Sequence, residues 1–147
     1  MAFNINTIRS QLEFGGARAS LFEVLITPPT VTQSASAAAL KIPNLTVRAQ
    51  IPASTLGTIQ VPYFGRKIKV AGDRNFAPWT VTVINDEDFI IRNAMEAWNN
   101  AINLYEQNIT SLGSSRPANY KSQAEVIHYG KNGTELRRYK FKGLYPS

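Results

Sequence analysis

The sequence predicts a mainly β fold, an antiparallel barrel or sandwich with one flanking α-helix at about residues 86–103. Several short segments alternate apolar and polar residues with a period of two and end at proline or glycine, as half-buried strands do. One longer segment instead places its apolar residues at helical spacing. With 147 residues, 44% of them hydrophobic, the chain is predicted to form a single domain, 1–147, with a flexible N-terminal arm at about residues 1–17.

Six or so strands are predicted. They fall at residues 18–28, within the proline- and glycine-punctuated stretch from Leu45 to Val70, at 79–83, at 120–129 and at 134–145. The last two flank Asn132-Gly133, a pair that two-residue hairpin turns favour because both residues tolerate positive φ. The serine- and alanine-rich residues 30–39 show no periodic apolar face and are predicted to form a loop or a weak helical turn.

The predicted helix at about residues 86–103 begins at Asp86-Glu87-Asp88. An aspartate there can cap the first turn, and acids in that turn interact favourably with the helix dipole. The apolar residues that follow share one side, which we expect to pack on the barrel. The residues predicted to make this contact are Ile91, Met95, Trp98 and Ile102.

The residue inventory argues against an enzyme, a cofactor and a metal site. The absence of cysteine removes thiol nucleophiles, disulfides and thiolate ligands. His128 is the sole histidine, so it would have to carry a triad or a metal site without a second imidazole. Residues 130–134 lack the spacing of a phosphate loop. No apolar stretch of bilayer length is present, so no membrane anchor is expected.

A net charge of +6 raises the possibility of a nucleic-acid partner. The cations cluster twice, as Arg66, Lys67, Lys69 and Arg74 and as Arg137, Arg138, Lys140 and Lys142. Alternation predicts that Ile68 and Val70 are buried while the neighbouring lysines face outward. A binder of single strands usually displays aromatic residues beside its cations, whereas Tyr139 and Phe141 alternate away from theirs. A solvated or protein-facing surface is therefore the favoured interpretation.

One segment, from Val61 to Trp98, combines several specific motifs. They are Val61-Pro-Tyr-Phe-Gly-Arg-Lys67, Ala71-Gly-Asp-Arg74, Trp79-Thr-Val-Thr-Val83 and Asn85-Asp-Glu-Asp-Phe89. The segment closely resembles the tail tube proteins of contractile-tailed (myovirus-type) bacteriophages. The similarity is strongest from Val61 to Asn103 and looser across Leu21–Pro28 and Ile51–Gly57.

The resemblance implies a structural virion protein that forms homohexameric rings, which stack into the inner tail tube and conduct the genome into the host. The implied partners are further copies of the chain, the tail sheath protein, baseplate or tube-initiator proteins, a tape measure protein in the lumen, and phage DNA in transit without specific binding. The expected location is the virion tail, after assembly in the host cytoplasm.

The stretch from Leu45 to Val70 matches the extended loop of this family, which reaches toward the adjoining ring. The candidate contacts between subunits or rings are therefore Ile59, Val61, Tyr63, Arg66, Lys67, Lys69 and Arg74. Because a cation bound to phosphate would slow DNA, we expect the basic clusters to face subunit interfaces or the sheath, and the lumen to be poor in exposed basic residues.

Other functions remain open at this point. A baseplate tube initiator or adaptor, or the inner tube of a phage-derived contractile injection system, would share the fold and differ in its partners. A small basic nucleic-acid-binding β-barrel would use the same cationic strands. It would bind DNA tightly as a monomer, with a steep dependence on salt.

Overall fold

The computed structural model describes residues 4–12, 14–30, 32, 34–110, 113 and 115–147. The strands are β1 (Phe22–Thr27), β2 (Thr46–Gln50), β3 (Ser54–Tyr63), β4 (Arg66–Phe76), β5 (Thr80–Val83), β6 (Ser122–Tyr129) and β7 (Glu135–Leu144). The helices are α1 (Ile5–Gln11), α2 (Ala35–Leu45), α3 (Ile90–Ile102) and α4 (Pro117–Tyr120).

The strands form three antiparallel sheets. One has three strands in the order β1-β6-β7, and the others pair β2 with β5 and β3 with β4. The mainly β, antiparallel class predicted from the sequence is confirmed. The closing hairpin is confirmed as well, because β6 and β7 flank the Asn132-Gly133 turn and Gly133 has a φ of +77°.

The chain divides into two compact units, Met1–Leu45 with Asn85–Ser147, and Thr46–Ile84. In the first unit, α2 packs on β1 and α3 packs chiefly on α2. The buried apolar side chains of this unit are Val24, Ala38, Ile42, Ile91, Ala94, Trp98, Ala124, Val126 and Ile127. The second unit contains β2 to β5 and is the one that holds the predicted contact residues. The predicted single domain, 1–147, stays a prediction.

Helix α2 corrects the prediction of a loop or weak turn at residues 30–39. Residues 31 and 33 lie outside the described residues, and the helix begins at Ala35. Alanine has the highest intrinsic helix propensity. Ala38 and Ile42, one turn apart, are both buried. Within residues 30–39 the helix contains only alanine and serine, and Pro43 lies inside its last part, so the periodic signal in the sequence is weak.

The start of α3 also differs from the prediction. The helix begins at Ile90, and Asp86-Glu87-Asp88 precede its first turn. The Lys41 ammonium of α2 lies 2.8 Å from Asp86 and 3.1 Å from Asp88. These two acids thus join the helices α2 and α3 at their surface instead of capping α3.

The predicted N-terminal arm includes residues 1–3 and 13, which lie outside the described residues. Helix α1 occupies part of the remainder, and the side chain of Asn4 caps it by accepting a hydrogen bond from the backbone of Asn6. Farther along, the ammonium of Lys131 donates to the carbonyl of Phe14 at 3.2 Å. The end of the arm therefore contacts the turn that joins β6 and β7.

Candidate functional site

The β3–β4 hairpin gathers the predicted contact residues on one pair of strands. In its register, Ile59 lies opposite Val70, and Val61 lies opposite Ile68. Since directly opposed residues of an antiparallel pair project to the same face, their side chains form one continuous surface. The members of this surface, here called the apolar face, are Ile59, Val61, Tyr63, Arg66, Ile68 and Val70.

The apolar face is open to solvent within the chain. Its six side chains are all exposed. In β3 and β4, only Gly57 and Gly72 are partly buried. The expectation that Ile68 and Val70 are buried is therefore wrong for the single chain. The alternation itself is present, but in the described residues no second layer covers the apolar side.

The opposite face of the hairpin carries the lysines. Lys67 pairs with Pro62, and Lys69 pairs with Gln60. Neither lysine forms an ion pair with the rest of the described chain. The predicted contacts thus divide: Arg66 lies on the apolar face, and the two lysines lie on the other.

An irregularity in the pairing separates Arg74 from these residues. Arg74 lies opposite Leu56, beyond a register shift between Leu56 and Thr58. Two glycines approach closely at this point, because a Cβ atom on Gly72 would lie 3.1 Å from the Ile59 side chain and 3.3 Å from the Gly57 carbonyl oxygen. Such irregularities increase the twist of a strand pair. The irregularity separates the outer half of the hairpin, with the apolar face, from its base.

The tip of the hairpin is the turn Phe64-Gly65, and both residues have positive φ, 44° and 76°. The Phe64 side chain is 90% exposed. Its ring meets that of Tyr63 edge to face, with 4.6 Å between centroids. Sequence reasoning did not single out Phe64 as a contact residue. The feature of the sequence that could have identified it is an aromatic residue at a position where a tight hairpin turn ordinarily has asparagine or glycine.

The second basic cluster differs from the first because it is paired within the chain. Arg138 lies 2.8 Å from both Glu125 and Glu135, and Lys140 lies 3.1 Å from Glu125. The hydrogen bond from Lys140, helped by the charge of Arg138, lowers the pKa of Glu125 below its ordinary value. Arg138 likewise lowers the pKa of Glu135. Carboxylates thus offset much of the positive charge on this surface.

The aromatic residues of β7 take the face that the sequence predicted. Tyr139 and Phe141 are partly buried, and they alternate with the exposed residues Arg138, Lys140 and Lys142. The guanidinium of Arg137 lies 4.8 Å from the centre of the Tyr139 ring, a cation–π distance.

The predicted contact residues of the helix lie on the buried side of α3. Ile91 and Trp98 are buried, and Met95 and Ile102 are partly buried. The Trp98 indole donates to the carbonyl of Tyr120 at 2.8 Å. In the described part of the chain, the main neighbours of α3 are α2 and α4. The helix therefore packs mainly against other helices, whereas the sequence predicted packing on the barrel.

Sites for chemistry are sparse in the described residues. The His128 ring nitrogen Nε2 lies 2.7 Å from the Arg18 carbonyl oxygen, which gives this histidine a backbone partner. Across the described ranges, no three His, Asp or Glu side chains are grouped as metal ligands would be. None of the helices described has both the length and the apolar character needed to cross a membrane.

Comparison with known proteins gives consistent results. Residues 17–147 match the family described as phage tail tube protein. The chain is 38% identical over 98 residues to tail tube protein gp19 of Enterobacteria phage T4, and 37% identical over 98 residues to that of Enterobacteria phage T6. Each match covers 66% of this chain and 58% of the relative, so the chain matches less than two thirds of the length of these relatives.

A third relative matches over a longer range. The tail tube protein of Serratia phage KSP90 is 28% identical over 144 residues, which is 97% of this chain and 79% of the relative.

Proposed function

This chain belongs to the phage tail tube protein family, and we propose that its copies stack as hexameric rings into the inner tube of a contractile tail, joined through the β3–β4 hairpin. Membership of this family makes the chain a structural component of the virion tail. A structural role requires surfaces that copies of the chain can share, and it requires no catalytic group.

The apolar face of the hairpin is the observation that carries this proposal. Four aliphatic side chains, Ile59, Val61, Ile68 and Val70, are exposed together on one two-stranded ribbon. Because these side chains are 45–57% exposed, covering the remainder would contribute roughly half of the about 1.5–3 kcal/mol that full burial of such a side chain provides. A two-stranded hairpin is only marginally stable in water by itself. A neighbouring copy that covers this face would both stabilise the hairpin and hold the two copies together.

The lysine face supports a protein partner over a nucleic acid. Lys67 and Lys69 alternate with Ile68 and Val70, and their cross-strand neighbours are Pro62 and Gln60. A protein that binds single strands presents aromatic rings and cations on one face, so that bases stack while phosphates are held. Here Tyr63 lies on the apolar face, where Arg66 is the one cation, and the face formed by Lys67, Lys69 and their cross-strand neighbours has no aromatic residue. The lysines are better placed to meet carboxylates of a neighbouring protein subunit.

Passage of DNA sets a further requirement for the tube. A wall that binds phosphate through many unpaired cations would hold the genome and slow it. Arg138 and Lys140 are held by Glu125 and Glu135, which weakens their attraction for phosphate. In this proposal DNA and a tape measure protein occupy the lumen without specific binding, and the sheath and tube-initiator proteins bind the outside and the end of the tube.

Negative-stain electron microscopy of the purified protein tests this function. We expect rings or hollow tubes to form as the concentration rises, without any other tail protein. Persistent monomers at high concentration would count against the proposal. Tight, salt-sensitive DNA binding by those monomers would favour a nucleic-acid-binding barrel instead.

A further inference from the structure

Phe64 combines two features that each destabilise a free hairpin. Its φ of 44° lies in the left-handed region, which costs a residue other than glycine about 1–2 kcal/mol. Its ring is 90% exposed, so it gains little from burial in the chain. A turn of this kind favours asparagine at the same position, and a phenylalanine there is locally the wrong residue.

The other hairpin of the chain places glycine in the left-handed region. Between β6 and β7, Gly133 has a φ of 77°, and the Asn132 side chain supports the turn by accepting hydrogen bonds from the backbone and the hydroxyl of Thr134. One hairpin thus uses glycine at its left-handed position, whereas the other also places an exposed aromatic residue in that conformation. The contrast indicates that the aromatic ring of Phe64 serves something other than the turn.

From this contrast we propose that Phe64 is the aromatic anchor of tube assembly, and that it inserts into an apolar pocket on a neighbouring copy of this chain. The inference rests on the proposed function, because it names the residue through which the same hairpin gains most of its binding energy. Aromatic residues that enter a desolvated pocket commonly dominate an interface.

The position of Phe64 argues for a partner outside its own subunit. The strand β3 has ten residues, which span about 33 Å when extended. Phe64 lies at the end of that span. Its ring contacts that of the adjacent Tyr63. A side chain held this far from the base of the hairpin is suited to reach another molecule.

Continuity with the apolar face identifies that molecule as a second copy. Tyr63 belongs to the apolar face. Its ring also contacts that of Phe64 edge to face, with an interplanar angle of 87°. The tip and the face therefore form one uninterrupted surface. A partner that covers Ile59, Val61 and their neighbours would cover Phe64 as well.

The variant Phe64→Asn separates the two effects of this residue. Asparagine accepts the left-handed conformation, so amide exchange in Ser54–Phe76 of the disassembled subunit is expected to be no faster than in the native protein. The protein concentration at which tubes form is expected to rise by about tenfold or more, the loss that corresponds to removing one buried aromatic side chain. Phe64→Tyr keeps the ring and is expected to assemble close to the native concentration.

Phe89 provides a matched control. It is also a partly exposed phenylalanine with positive φ, 50°, and it directly precedes α3. Phe89→Asn therefore makes the same chemical change in a similar backbone conformation, away from the hairpin. We expect this variant to form tubes at the native concentration.

Several outcomes would overturn the inference. Tube formation by Phe64→Asn at the native concentration would show that Phe64 is not the anchor of assembly, even if the variant then failed to bind sheath protein. Much faster amide exchange throughout its hairpin would make Phe64 a structural residue. An equal assembly defect in Phe89→Asn would show that the loss is not specific to the tip. Failure of the native protein to form tubes would overturn the proposed function itself, whereas the other outcomes leave that function standing.

Discussion

Val61 of β3 lies directly opposite Ile68 of β4, and the two side chains are 45% and 51% exposed. Opposed aliphatic residues of this kind ordinarily form the inner side of a sheet that is covered by a second layer. In this chain the pair lies on an open face. This open face is the surface that we propose a neighbouring copy covers in the tube.

Charge placed on this pair should abolish assembly without unfolding the subunit. In the double variant Val61→Glu with Ile68→Lys, both substituted side chains remain in water, and directly opposed opposite charges support an antiparallel pair. Burial of these two charges against an apolar neighbour would be strongly unfavourable. Sedimentation velocity should show monomers at concentrations where the native protein forms tubes. Ile109→Glu, at an exposed loop residue, is the control and should still assemble.

The lysine face should set the salt dependence of assembly. In the double variant Lys67→Gln with Lys69→Gln, we expect assembly followed by light scattering to slow several-fold and to depend less on salt, because exposed charges act over about one Debye length of roughly 8–10 Å. Removal of the same charge from the other unit, by Lys121→Gln with Lys142→Gln, should have a smaller effect. An equal effect of both changes would mean that only net charge matters.

Local patterns predicted some elements well. The turn at Asn132-Gly133 depends on the positive φ of Gly133 and on the local hydrogen bonds of the Asn132 side chain, so its position could be read directly. The alternation in Lys67–Val70 likewise gave the correct division into faces. It could not show whether the apolar side is covered, because that depends on molecules outside the chain.

Contacts between distant residues account for the differences. Asp86 and Asp88 matched a helix start by type and order, yet Lys41, more than forty residues earlier, binds both. Helix α2 was missed because its part within residues 30–39 is alanine and serine, and Pro43 interrupts the pattern that follows. For Phe64, sequence reasoning did not supply the left-handed φ or the 90% exposure of its ring at the tip of the hairpin.

The ion pair between Lys41 and Asp86 should make the stability of the subunit depend on pH at both extremes. Hydrogen bonding to Lys41 lowers the pKa of Asp86 below 3.8, so this contribution is present above that pH and is lost as pH falls through the lowered pKa. Hydrogen bonding to Asp86 raises the pKa of Lys41 above 10.5, so the contribution is lost as pH rises through the raised pKa.

The variant Lys41→Met tests this dependence. Thermal unfolding from pH 2 to 11 should show a small decrease in Tm near neutrality and a flatter profile toward both extremes. Arg92→Met, which removes an exposed ion pair with Glu96 on α3, is the matched control. It should leave unchanged the pH dependence of Tm that comes from Lys41. A Lys41→Met profile parallel to the native one would contradict the prediction.

Trp98 should contribute substantially to the stability of the first unit. It is 3% exposed, and its indole donates to the Tyr120 carbonyl at 2.8 Å. Trp98→Phe removes this hydrogen bond and leaves a small cavity, so urea unfolding should show a loss of about 1–3 kcal/mol. Arg92→Gln, on the exposed side of the same helix, should change stability by less than about 0.5 kcal/mol. Equal effects would contradict the assigned packing of α3.

Cryo-electron microscopy of tubes assembled from the purified protein alone tests the proposed interface most directly. The map should show Val61 and Ile68 of each copy buried against a neighbouring copy, with Phe64 inside a pocket of that neighbour. A tube in which the apolar face of the β3–β4 hairpin stays open to solvent would contradict it.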